Sequence, residues 1–143
     1  MSGKILLIDP IATNRISLSS ILRAAHYQMT AVSTPNETAK LPSDTLFDAI
    51  LVSMATPLEV VKLKAISALK DLPIVATAGD SSDAARLALL KAGASDILTA
   101  PISRKVLLTR LRSLLRARHA SAELQLREDT NRALGFHEAS PQF

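Results

Sequence analysis

The chain has 143 residues, of which 48% are hydrophobic and 21% charged, with four glycines, seven prolines and no cysteine. That balance suits one globular domain with its own core, and it excludes a disordered or fibrous chain, a disulfide framework, a zinc–thiolate site and a thiol nucleophile. The net charge of +4 belongs to the last third, since residues 1–100 hold nine Lys/Arg and nine Asp/Glu while residues 101–143 hold eight and four.

Lys4 to Asp9 is a near-continuous apolar run ending in a carboxylate, the pattern of a strand buried on both faces. After Pro10, the segment Ala12 to Ala25 sets Ile16, Leu18, Ile21, Leu22 and Ala25 at spacings that predict an amphipathic helix. Gln28 to Ser33 reads as a less hydrophobic strand suited to a sheet edge, and Pro35 to Asp44 as a weakly helical stretch with a Pro-Ser break. Asp48 to Met54 is a third strand. Leu58 to Leu69 carries Val60, Val61, Leu63, Ile66 and Leu69 at helical spacing and stops before Pro73. Ile74 to Ala78 is a fourth strand, and the oxygens of Asp80 to Asp83 can cap a helix through Ala84, Leu87, Ala88 and Leu90 that closes at Gly93. Asp96 to Ala100 is a short fifth strand, and Ser103 caps a long final helix.

Strands separated by helices imply right-handed crossovers and an α/β fold, a doubly wound parallel sheet of five strands in a (βα)5 arrangement. Sites in such sheets lie outside the carboxyl ends of the strands, which singles out Asp9, Ser53, Thr77 and Ala100 with the loops that follow them.

Five pieces in order now carry a resemblance. They are Ile8-Asp9, the run Asp48 to Val52 followed by Pro57, Thr77-Ala78, Gly93 to Asp96, and Ile97 to Pro101. Together they resemble the receiver domain of two-component response regulators, the CheY-like class, over about residues 3–118. The resemblance implies strand order 2-1-3-4-5. It also implies a site in which two acids after the first strand and an aspartate ending the third hold Mg²⁺. That last aspartate takes a phosphoryl group from a histidine kinase, and a Ser/Thr after the fourth strand and a Lys after the fifth contact it. Asp9 matches the first acid and Thr77 the hydroxyl residue. Pro10 stands for the second acid, Ser53 for the phosphoacceptor and Ala100 for the lysine.

One carboxylate gives Mg²⁺ little negative charge, so binding is expected to be weak or absent. A serine hydroxyl without a neighbouring base is a poor nucleophile, and an alanine cannot neutralise a phosphate. Conventional aspartate phosphorylation is therefore not expected. Plain structural roles also suit these residues: Ser53 as a small packed hydroxyl, Asp9 as a cap of the first helical turn, Thr77 as a β-branched strand residue. His26, His119 and His137 show no metal-ligand spacing, and the loop from Asp9 to Asn14 lacks a glycine for close approach to a flavin phosphate.

In the final helix Val106, Leu107, Leu108, Leu111, Leu114 and Leu115 form an apolar stripe that can pack on the sheet, with Arg104, Lys105, Arg110, Arg112, Arg116 and Arg118 largely between them. Past Arg118 the helical pattern runs through Ala120 and Leu124 toward a stop near Gly135-Phe136. This predicts a receiver-like domain over 1–118 and a helical linker or tail over 119–143. The stretch from Leu114 to Glu128, with Asn14 and Arg15, is similar to the first receiver and linker of PleD-type diguanylate cyclase regulators, which implies an output domain in a longer parent chain. The leading expectation is a degenerate receiver acting through a protein partner or a homodimer, with Leu111, Leu114, Leu115, Arg118 and Leu124 on the interacting helix. It is not expected to be an enzyme or to meet a membrane, and a cytoplasmic location follows. The alternative is a nucleic-acid-binding module that uses the basic helix, against which stands its lack of aromatic residues for stacking.

Overall fold

The computed structural model describes residues 3–134 apart from Ser43 and Ser81. The stop near Gly135-Phe136 and His137 lie outside the described residues. Strand β1 (Lys4–Ile8) leads to helix α1 (Ala12–Ala24) and strand β2 (Gln28–Val32), then a 3-10 helix over Pro35–Lys40. Next come β3 (Ala49–Val52), α2 (Pro57–Lys64), β4 (Ile74–Ala78), α3 (Asp83–Ala92), β5 (Asp96–Thr99) and α4 (Arg104–Ala133). The sheet is parallel throughout in the order β2-β1-β3-β4-β5, so the less hydrophobic β2 is an edge.

Two cores flank the sheet because alternate strand residues face opposite sides. Leu6, Ile8, Ile50, Val52, Ile74 and Ala76 meet Val60 and Leu63 of α2 and Leu89 of α3. On the other side Ile5, Leu7, Leu51 and Val75 meet Leu22 of α1 and Leu107, Leu111 and Leu115 of α4.

Three expectations are corrected. Ile16 is 70% exposed, because α1 turns Ser19 and Leu22 to the sheet and leaves Ile16 on a flank. Helix α2 ends at Lys64 rather than Leu69. Three successive turns follow it, in which Ile66 N–H donates to Leu63 O, Leu69 N–H to Ile66 O and Leu72 N–H to Leu69 O. They bring Leu69 and Leu72 into the core that an unbroken helix would carry past it. Leu87 and Leu90 of α3 face solvent, and Leu89 is the buried residue.

The caps agree with the sequence. The Ser82 hydroxyl accepts from Ala85 N–H at 3.2 Å and the Ser103 hydroxyl from Val106 N–H at 3.4 Å. Gly93 ends α3 at φ 122°, a conformation that L side chains rarely adopt. Helix α4 spans 30 residues, about 45 Å at 1.5 Å per residue, and passes residue 118 without a break. Beyond Arg118 the described side chains are exposed apart from the half-buried Asn131.

Candidate functional site

The crossovers bring the carboxyl ends of β1, β3, β4 and β5 to one edge of the sheet, where all four singled-out positions gather. Asp9, Ser53 and Thr77 are buried there, and Pro10 and Ala100 are exposed beside them.

Asp9 follows β1 and is fully buried. Its N–H donates to Val32 O at 3.1 Å, and its Oδ1 accepts from Ile11 N–H at 2.8 Å, which closes a turn just ahead of α1 rather than capping it, since the N-cap is Ile11 and has no side-chain cap bond. Its Oδ2 is buried without a hydrogen-bond partner. Arg15, one turn into α1, folds back so that its Nη1 donates to Asp9 O at 2.7 Å. Sequence reasoning misses that contact, and only the six-residue separation at the start of a helix hints at it.

Ser53 follows β3, and its N–H donates to Ile8 O at 2.9 Å, which locks it against β1. On the neighbouring β4, Thr77 Oγ1 accepts from Met54 N–H at 3.0 Å and donates to Ser53 Oγ at 3.4 Å. Met54 itself sits at φ 56°, in the left-handed region, where the chain turns sharply out of the sheet toward α2. Pro57 then opens α2, and the Thr56–Glu59 pair closes a reciprocal capping box. Ala100 follows β5, and its N–H donates to Ala78 O at 3.2 Å before a cis Ala100–Pro101 bond.

Charge at this edge is sparse. Asp9 Oδ2 is the one carboxylate oxygen of the five positions without a donor, and Pro10, Ser53, Thr77 and Ala100 are uncharged. Among the described residues no group of three or more His, Cys, Asp or Glu is placed to hold a metal ion. A magnesium centre wants near-octahedral oxygens with carboxylate charge, and one buried carboxylate beside neutral hydroxyls does not fit that demand.

Of the helix residues singled out for partner contact, Leu111 and Leu115 are buried and Leu114 packs against the same core. Their role is to hold α4 to the sheet. Arg118 is half-buried at the end of that contact, and Leu124 is exposed beyond it.

No protein-family profile matches the chain. The response regulator PleD of Caulobacter vibrioides is 34% identical over 140 residues, 94% of this chain. The chain spans 31% of that relative's length. Among solved structures, the receiver domain of a signal-transduction histidine kinase from Syntrophus aciditrophicus is 26% identical, with a TM-score of 0.70 over 80% of this chain and 91% of that one. The chemotaxis response regulator CheY4 of Vibrio cholerae shares the fold at 21% identity, with a TM-score of 0.70 over 80% of this chain and 99% of that one. The receiver domain of the sensor kinase PA1611 from Pseudomonas aeruginosa, solved with magnesium in its active-site cleft, shares it at 23% and 0.68 over 80% and 98%. The chain has the CheY-like receiver-domain fold and is similar to the receiver domains of two-component response regulators.

Proposed function

We propose that this receiver signals by protein contact without accepting a phosphoryl group on an aspartate. The observation that carries the reading is the hydrogen-bonded pair of Ser53 and Thr77 at the ends of β3 and β4, in the place where the family pattern has its phosphoacceptor. The buried Ser53 hydroxyl is bonded to another hydroxyl and makes no hydrogen bond to a base among the described residues, and the neutral Ala100 supplies no cation for the product. The donor set at Asp9 does not fit Mg²⁺, so no step passes through the metal.

On this reading residues 1–118 form the receiver body, and the part of α4 beyond 118 is an arm that connects to an output domain or docks on a protein partner or second copy. Arg118 and Leu124 are its contact residues, in a signalling and non-enzymatic role in the cytoplasm. No helix among the described residues is long and apolar enough to cross a membrane. Beryllofluoride, a phosphoryl mimic, added with Mg²⁺ should leave the amide spectrum around Asp9, Ser53 and Thr77 unchanged. Saturable shifts there would refute the reading.

A second reading has its own observation. Lys105, Arg112 and Arg116 are exposed along one flank of α4 and form no ion pair with a described residue, whereas Arg110 is held by Asp96 at 2.8 Å. Nucleic acid held by that flank would bind with steep salt dependence, so a mobility shift absent at low salt would dispose of it.

A further inference from the structure

We infer that the groove between α1 and the free edge of β2 is a docking surface for an extended acidic peptide segment, which adds a strand to the sheet and sets two carboxylates on Arg15 and Arg23. The groove is a cavity of about 530 Å³ whose lining includes Ala12, Arg15, Ile16, Ser19, Arg23 and Ala31.

Its floor is small, with Ala12 and Ser19 on the α1 side and Ala31 on the strand side, so a backbone can approach closely. Its wall offers an apolar contact in the 70% exposed Ile16 and two cations. Among the described residues no carboxylate lines it. Neither arginine forms an ion pair with a described residue: Arg15 uses one N–H on Asp9 O, and Arg23 makes no side-chain hydrogen bond to a described residue. Glu37, whose charge reaches Arg15, is committed to the Ser33 hydroxyl and N–H.

The strand edge supplies the second half. Gln28 N–H donates to Gly3 O and Val32 O accepts from Asp9 N–H, so the even-numbered residues of β2 pair with β1. By alternation the N–H and C=O groups of Met29 and Ala31 point to the outer edge, where β2 has no neighbouring strand among the described residues. Strand addition uses such groups for affinity and side-chain pockets for specificity. The spacing also matches. Eight helical residues set Arg15 and Arg23 about 12 Å apart along α1, and two same-face residues at i and i+4 of a strand lie about 13 Å apart.

The test uses a capped synthetic peptide, GSEVTVESG, with glutamates at i and i+4, titrated into the ¹⁵N-labelled chain and into Ala31→Pro and Arg23→Glu. A proline at an edge position removes only the outward N–H of residue 31 and leaves the pairing with β1 intact. Thermal melting confirms that each variant is folded. The expected result is saturable amide shifts confined to β2 and the α1 flank, with binding about fivefold weaker in each variant, the loss of roughly one hydrogen bond or charge contact. A peptide with lysines in place of the glutamates should not bind. Absence of shifts at millimolar peptide, equal binding by Arg23→Glu, or shifts that map to another face would overturn the inference.

Discussion

Thr77 Oγ1 joins two strands to one loop: it donates to Ser53 Oγ at 3.4 Å and accepts the N–H of Met54 at 3.0 Å. The hydroxyl thereby satisfies a backbone donor at the one residue of this loop that takes a left-handed conformation. Thr77→Val keeps the β-branched shape and leaves that N–H without an acceptor, a loss of about 1–3 kcal/mol. Thr77→Ser retains the acceptor and should lose less. Urea unfolding of the three proteins checks the order.

Helix α4 divides into a packed half and an exposed half, and substitutions should divide the same way. Leu111→Ala opens space in a fully buried position and should cost about 2–5 kcal/mol. Leu124→Ala, at a side chain 57% exposed, should change the stability of the isolated chain by less than about 0.5 kcal/mol. If the arm joins two copies, the second substitution instead lowers the mass found by light scattering, as does truncation after Arg118.

Gly93 at φ 122° closes α3, and a Cβ there would stand 3.1 Å from the Lys64 side chain. That side chain is flexible and can shift, so the backbone conformation sets the penalty. Gly93→Ala should destabilise by more than about 1 kcal/mol, read from the denaturation midpoint.

Hydrogen bonds from the Ser33 hydroxyl and N–H hold the Glu37 carboxyl below its ordinary value. A depressed folded value stabilises the protein above the ordinary glutamate range, and the contribution disappears as pH falls through the folded value. Glu37→Gln should therefore lower stability at neutral pH and flatten the acid side of the stability profile. Urea midpoints from pH 3 to 7 for both proteins test this.

The parallel sheet was legible because buried parallel strands are continuous apolar runs and the caps at Ser82, Gly93 and Ser103 are local signals, whereas the strand order came from the family resemblance alone. The early end of α2 was not. Ile66 and Leu69 keep helical spacing, and the preference for successive turns arises from the core that Leu69 and Leu72 reach. The exposure of Ile16 is a tertiary fact too, since an apolar residue on the flank of α1 looks the same in sequence as one on its buried face. At the site the residue types were readable, but their partners were not. The Thr56–Glu59 capping box was present as a Thr-x-x-Glu pattern, whereas the contact of Arg15 with Asp9 O depends on how the chain turns at Pro10 and Ile11. The unpartnered Asp9 Oδ2 could be found only once the fold had enclosed it.

The central claim is that this receiver carries no phosphoryl group on its strand-end residues. Incubation with acetyl phosphate and Mg²⁺ followed by intact-mass spectrometry tests it most directly. An unchanged mass is expected, and a stoichiometric phosphoryl adduct on Asp9 or Ser53 would contradict the claim.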